Sequence, residues 1–323
     1  MFKYKNLDDD EYTKKIITPV NYNYIKIFDS KNPQENYCVL IKNYLNIAKK
    51  IKNLKIYKDD VWVISFPKSG TTWTQEMVWL LNNNLDYEQS KKSILFRYLF
   101  LELEGTNCAS FDTNFDDYVT NAQKPRHFKC HLPVFLLPDE IWTIKPKIIY
   151  TARNPKDVIV SFYHHYRHWH GYSGKLNDFI NAFINDKLLY SLMNEHVLEY
   201  WKLSKKYENI LFLFYEDRVR NLEQEVKKVA KFLEKDYSQE KIEDLCKHLT
   251  FDSMQKNPSC NNEHMTKMLK ENFDFESKHE KFNFIREGKI GSYKKEMDEE
   301  EIKKVEKYMD YPDFENYGFE YKF

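Results

Sequence analysis

The stretch Val61-Trp-Val-Ile-Ser-Phe-Pro-Lys-Ser-Gly-Thr-Thr-Trp73 constrains the fold more than any other part of the chain. Val61, Val63 and Ile64 are strand formers with no charge among them, so they predict a short buried strand. Pro67 and Gly70 punctuate a tight polar turn. At Thr71 an amphipathic run opens toward Leu81, and in it Trp73, Met77, Leu80 and Leu81 share one helical face. A strand, a turn and a helix start in this order aim backbone N–H groups and a helix N-terminus at one point. Such a point binds an anion, most often a phosphate. Lys68, Ser69, Thr71 and Thr72 add a cation and three hydroxyls to the cradle. A glycine turn feeding a core helix is the plainer reading of the same residues.

The cradle departs from the loop of nucleoside-triphosphate enzymes. That loop needs a Gly, four residues, and then Gly-Lys-Ser/Thr. Here the Lys precedes the Gly, and Ser65 stands five positions before Gly70. The string PKSGTTW resembles the 5′-phosphosulfate loop of the cytosolic sulfotransferases. The resemblance implies 3′-phosphoadenosine 5′-phosphosulfate (PAPS) as co-substrate and adenosine 3′,5′-bisphosphate (PAP) as product. It also implies a small hydrophobic, hydroxylated acceptor and no metal.

Further apolar segments extend the pattern. Lys147–Thr151 reads as a buried strand running into a helix through about His168, with Pro155 in its first turn. Ile210–Tyr215 reads as a third strand. After it, Val219, Leu222, Val226, Val229, Ala230 and Leu233 fall on one helical stripe. Strands alternating with helices predict an α/β fold with a central, mostly parallel sheet flanked by helices on both faces. The phosphate-loop motif sits at a strand end, where such sheets bind ligands. We read residues 1–323 as one domain. Residues 1–57, polar and weakly periodic with a helix near 43–51, form an N-terminal extension and pocket-covering segment. Residues 250–293 form a cofactor-covering lid, and a short charged helix occupies 299–308.

The charge balance narrows the partners. Fifty basic and fifty acidic residues cancel, which removes the basic excess of a nucleic-acid binder and makes any anion site local. Five cysteines without a CxxC pair (Cys38, Cys108, Cys130, Cys246, Cys260) suit reduced thiols in the cytoplasm. The N-terminus has no apolar signal core, and no stretch approaches the roughly 20 apolar residues of a membrane span. Golgi sulfotransferases, by contrast, resemble anchored membrane proteins.

Sulfuryl transfer sets three tasks, by analogy with phosphoryl transfer. Lys68 suits the stabilisation of charge on the leaving phosphate. His131, in Arg126-His-Phe-Lys-Cys-His-Leu-Pro133, suits deprotonation of the acceptor, since a neutral imidazole is a good general base. On its own His131 reads as structural more readily than catalytic; beside the first loop, catalysis becomes the better reading. The KCHLP string is similar to the family's Lys-Thr-His-Leu-Pro, whose His is the base, and Cys130 replaces the Thr. Lys129 then falls near the transferring group. His127 lies on the same strand face and is the decoy. Arg153 and Ser161 suit the third task, holding the donor. Their segment, Thr151–Tyr163, is similar to the family's 3′-phosphate segment, and a guanidinium pairs well with phosphate.

The resemblance adds further cofactor contacts. Ser69, Gly70, Thr71 and Thr72 would hold the 5′-phosphate, and Trp73 would stack on the adenine unless it simply belongs to the helix core. Tyr215 matches a family tyrosine near the adenine. Phe284–Gly291 resembles the Arg-Lys-Gly-x-x-Gly segment over the 3′-phosphate: Arg286 and Gly288 match, whereas Glu287 replaces a Lys and should turn away. Leu249 replaces a Thr, which leaves Thr250 as that segment's contact. The matching blocks span roughly residues 60–291 in the family's order.

His164, His165, His168 and His170 cluster on one helix and its end. Without an HExxH pattern or a nearby Cys, they point to the acceptor pocket rather than to zinc. The family's dimer stretch lacks its Thr-Val here, which leaves a homodimer open. Two other readings remain at this level. One is a Mg-ATP-dependent nucleoside or small-molecule kinase, with Glu216 and Asp217 as its carboxylates. The other is a non-catalytic protein that binds a nucleotide or a hydrophobe.

Overall fold

Eight strands carry the architecture of the computed structural model, which describes all residues except 1, 17, 19–22, 33–35, 107–113 and 273–282. In chain order they are β1 (Lys3–Asn6), β2 (Tyr24–Phe28), β3 (Tyr37–Ile41), β4 (Val61–Ile64), β5 (Leu99–Phe100), β6 (His127–Cys130), β7 (Lys147–Ala152) and β8 (Ile210–Phe214). The last five form one sheet in the order β5-β6-β4-β7-β8. Every pairing in it is parallel: Val61 lies opposite His127 on one side and Lys147 on the other, and Ile148 lies opposite Ile210.

Both faces of this sheet are covered, so its strands read as unbroken apolar runs. Val61 and Val63 point into one core with Met77, Leu80, Leu81, Val226 and Val229. Trp62 and Ile64 point into the other, with Phe128, Tyr150 and Phe162. The helices Thr71–Asn82 and Leu222–Phe232 close the first face, and Pro155–Trp169 and Met193–Lys206 contribute to the second. Because the chain crosses β4 between β6 and β7, strand order reverses there. A crevice opens beyond the strand ends at such a reversal.

Two expectations are corrected. The stripe from Val219 to Leu233 is not one helix. A short helix, Tyr215–Arg220, stops before Asn221, whose side chain accepts the Gln224 N–H at 3.1 Å and starts Leu222–Phe232. Val219 is consequently exposed, and Arg218 takes the buried place. Tyr215 opens that short helix instead of closing β8.

The N-terminal segment holds more structure than its weak periodicity suggests. Strands β1, β2 and β3 form an antiparallel sheet ahead of the 3-10 turn at 42–44 and the helix Leu45–Lys52. Ile25, Ile27, Cys38 and Leu40 pack into the main core. Lys26, on the opposite face of β2, is buried as well, with its ammonium 3.1 Å from Asp8. The sheet is tied to the body where Tyr190 N–H donates to the Val39 carbonyl at 2.8 Å.

The other helices fall within a residue or two of expectation: Thr71–Asn82, Pro155–Trp169 and Glu299–Met309. Cys38, Cys130, Cys246 and Cys260 are unpaired, and Cys108 lies outside the described residues. Among the described residues no helix is long and apolar enough to cross a membrane. Part of the expected lid, residues 273–282, also lies outside the described residues.

Candidate active site

The turn after β4 is built from two residues in left-handed backbone conformations, Lys68 at φ +66° and Gly70 at φ +90°. The glycine is required twice over. Its φ suits a residue without a Cβ, and a Cβ there would lie 2.7 Å from Cδ2 of Tyr215. Ser65 and Thr71 close the turn through their hydroxyls at 2.6 Å, and the helix begins at Thr71. The Ser69 hydroxyl is buried with no partner among the described residues. A buried polar atom without a partner carries a free-energy cost that a ligand removes.

Four cations gather above this turn. The Lys68 ammonium lies 4.2 Å from the centre of the Phe284 ring, and that of Lys129 lies 3.8 Å from the Phe100 ring. Arg153 stacks 4.2 Å from the Tyr215 ring and donates weakly to the carbonyls of Lys68 and Lys289, at 3.3 and 3.4 Å. Its Nε is buried and has no partner among the described residues. Burial, and then repulsion from Lys129, Arg153 and Arg286, pushes the Lys68 ammonium down to about 7. Arg286 is neutralised by Glu296 at 2.7 Å and Glu287 at 3.2 Å. Positive charge held this close, beside orphaned donors, is a site for an anion.

The base candidate faces the same space. His131 Nδ1 lies 2.8 Å from the Ser65 carbonyl, and its backbone N–H donates to Glu102 at 2.6 Å. Burial, then the charge of Lys129, holds the imidazole well below the usual histidine range. Its ring packs edge-on against Phe100 at 5.7 Å and Tyr190 at 5.4 Å. Behind it, the ring of His196 bridges the His131 carbonyl, 3.1 Å from Nε2, and the Tyr150 hydroxyl, 2.8 Å from Nδ1. His127 sits at the far end of β6, 3.0 Å from the Asn82 amide, outside this constellation.

One cavity of about 270 Å³ unites these groups. Of the expected site residues, Lys68, Gly70, Thr71, Thr72, Trp73, Lys129, His131, Arg153, Ser161, Tyr215, Arg286 and Gly288 line it. Ser69 lies just beneath, buried in the turn. Thr250 does not reach the cavity. It is exposed, and its hydroxyl caps the helix Phe251–Lys256 by accepting the Ser253 N–H at 3.4 Å. Its neighbours Leu249, Phe251 and Met254 form the wall instead. Trp73 belongs to the helix core and also reaches the cavity. Its indole N–H donates to the Leu249 carbonyl at 2.9 Å. Glu287 does not turn fully away: it touches the wall, with its carboxylate held by Arg286 and by Lys295 at 3.2 Å.

The histidine cluster divides. His165 and His170 line the cavity, His164 pairs with Glu296 at 2.7 Å, and His168 is buried. Sequence reasoning missed Arg218, a buried guanidinium beneath the turn. It donates to Thr151 at 2.7 Å and to the Thr74 hydroxyl, and its centre lies 5.0 Å from the Trp73 ring. Nothing in its surroundings of Tyr-Glu-Asp-Arg-Val-Arg marks it as buried. Glu102 was missed as well, because it lies far from His131 in sequence. Glu216 and Asp217 face elsewhere: Glu216 accepts the Asn154 N–H at 2.9 Å, and Asp217 pairs with Lys322 at 2.5 Å.

A family model described as the sulfotransferase domain matches residues 58–318. Luciferin sulfotransferase of Photinus pyralis is 35% identical over 284 residues, covering 82% of this chain and 75% of that protein. Sulfotransferase 1 family member D1 of Mus musculus is 36% identical over 259 residues, covering 79% of this chain and 84% of its own length. Among solved structures, retinol dehydratase in a complex with retinol and PAP superposes with a TM-score of 0.80 at 27% identity. That superposition covers 100% of this chain and 98% of the other.

Proposed function

This chain belongs to the sulfotransferase family whose cytosolic members its first loop resembles, and we propose that it transfers the sulfuryl group of PAPS to the hydroxyl of a small hydrophobic acceptor. In this proposal His131 is the general base and Lys68 stabilises the leaving phosphate. The observation that carries it is the meeting of Lys68, Lys129, His131 and Arg153 in one cavity, from stretches far apart in the chain.

His131 takes the proton of the acceptor hydroxyl on Nε2. The acceptor oxygen bonds to sulfur as the bond from sulfur to the phosphate oxygen breaks. Lys68 offsets the negative charge that grows on that phosphate, and Lys129 sits beside the group in transit. Ser69, Gly70, Thr71 and Thr72 hold the 5′-phosphate end. The orphaned Ser69 hydroxyl and the absent Cβ at Gly70 fit that role. Arg153, Ser161, Arg286 and Gly288 hold the 3′-phosphate, and the unpartnered Nε of Arg153 fits it. Trp73 and Tyr215 flank the adenine, and the 250–293 segment covers it through Phe284, Ile285 and Arg286. Thr250 has no part in this arrangement.

Phe100, Phe162, Trp169 and Tyr190 line the acceptor end and favour a flat, apolar molecule. The relatives named for luciferin and crystallised with retinol are consistent with such acceptors. Glu287 is the one carboxylate among the described lining residues, and it is already paired, which disfavours a magnesium-dependent kinase. We place the protein in the cytoplasm, in keeping with its unpaired thiols.

Two measurements test the proposal. PAP should raise the melting temperature, and Mg-ATP should not. Labelled PAPS with a panel of phenols and alcohols should yield labelled ester and PAP. Stabilisation by Mg-ATP alone, or no product from any acceptor, would overturn it. The whole-chain superposition on retinol dehydratase supports a second reading for allylic alcohols. There the ester's C–O bond breaks, sulfate leaves with the bonding pair, a proton is lost to a base and an alkene forms. Mass spectrometry of the product separates ester from alkene.

A further inference from the structure

The helix Pro155–Trp169 presents Ser161, His165 and Trp169 along one face at intervals of four residues, and all three line the cavity. Ser161 marks the donor end. One helical turn, about 5.4 Å, carries the wall on to His165. The imidazole there is clamped by rings: Trp169 at 4.9 Å, Phe162 stacked at 6.1 Å and Phe284 edge-on at 6.3 Å. It makes no hydrogen bond to any described residue. Nδ1 is sealed without a partner, which leaves Nε2 for whatever occupies the cavity. A polar ring in an apolar wall costs free energy until something pairs with it.

Its surroundings define the class of that partner. Burial, with Lys68 next, holds His165 well below the usual histidine range, so the ring is neutral and offers no charge to a carboxylate. Lys68, Lys129 and Arg153 line the same cavity and repel an ammonium. A neutral ring pairs with a hydroxyl or a carbonyl without needing a counter-charge, and that is the partner we take forward.

We infer that His165 is a specificity-determining residue, hydrogen-bonded through Nε2 to a second, neutral oxygen function (a hydroxyl or a carbonyl) on a flat apolar acceptor. The inference rests on the sulfuryl-transfer reading above. It divides acceptor recognition into two polar points in one cavity, His131 at the reacting hydroxyl and His165 at the second oxygen.

The test uses acceptor pairs that differ in the second oxygen: 17β-estradiol against its 17-deoxy analogue, and 6-acetyl-2-naphthol against 2-naphthol. The unmodified protein should favour the oxygenated member of a pair by about tenfold in kcat/KM, the value of one hydrogen bond. His165→Phe should bring that ratio near one, and His165→Gln should keep part of it. A PAP-induced melting shift verifies that each variant is folded. Should His165→Phe not fold, the wild-type and His165→Gln ratios decide. A wild-type ratio near one in both pairs overturns the inference, as does a ratio that His165→Phe leaves unchanged. Absence of any sulfated product overturns the transfer reading and this inference together, whereas product formed without discrimination overturns this inference alone.

Discussion

The Nδ1 atom of His131 lies 2.8 Å from the carbonyl oxygen of Ser65. A carbonyl only accepts, so Nδ1 carries the proton and Nε2 keeps its lone pair. The residue that follows β4 therefore fixes the tautomer of a ring that follows β6, and the ring is left able to remove a proton.

Replacing His131 with Ala should lower kcat by about 10²–10⁴-fold, the usual worth of a general base, while PAP still binds. Steady-state kinetics and calorimetry on the same preparation check this. Turnover within twofold of wild type would remove His131 from the role.

The pH profile should carry the mark of Lys129. Burial and that charge keep the His131 ring neutral, so the acidic limb of kcat/KM should fall below pH 6.5. In Lys129→Ala a repelling charge is gone, protonation of His131 becomes easier, and the limb should move to higher pH. A limb that stays in place would show that the two residues are not coupled.

Lys68 should take up a proton when PAP binds. With its ammonium pushed down to about 7 in the free protein, Lys68 is mostly neutral at pH 8. The ligand's phosphates favour the charged form and raise it. PAP affinity should therefore weaken as pH rises above about 7. Calorimetry at pH 8 in buffers of different ionisation heat should register the uptake, and Lys68→Met should abolish it.

Arg153→Ala and Thr250→Ala should part company. The first removes a guanidinium beside the turn and should weaken PAP binding by about ten- to a hundredfold, since hydrogen bonds to charged groups are worth about 1.5–3 kcal/mol. The second removes a helix cap and should cost about 1 kcal/mol of stability with PAP affinity unchanged. Equal loss of affinity in both would return Thr250 to the site.

Gly288→Ala should destabilise the closed cavity. Gly288 has φ +63°, and a Cβ there would lie 2.1 Å from Cδ2 of Phe251. Backbone strain of this kind costs about 1–3 kcal/mol, and the clash adds to it. The melting temperature should fall, and Phe251→Ala in the same chain should restore part of the loss. A variant as stable as wild type would mean that the segment relaxes freely.

The parallel sheet was legible because β4, β7 and β8 are apolar on both faces and end at clear punctuation, and the turn at Lys68 was legible because its residues are contiguous. Burial was not legible at Lys26, a charge inside a strand, and periodicity failed at Asn221, where one capping side chain splits a continuous stripe. Thr250 carried the expectation of a neighbouring Leu249 substitution, but the local need for a helix cap claimed its hydroxyl. Arg218 and Glu102 act only through contacts distant in sequence, to Thr151 and to the His131 backbone. No local pattern encodes such contacts.

The N-terminal sheet touches the chemistry at one remove. Val39 accepts a hydrogen bond from the backbone of Tyr190, whose ring rests against His131. A change that loosens β3 would therefore reach His131 from outside the cavity, because the ring resting on it would no longer be braced from behind.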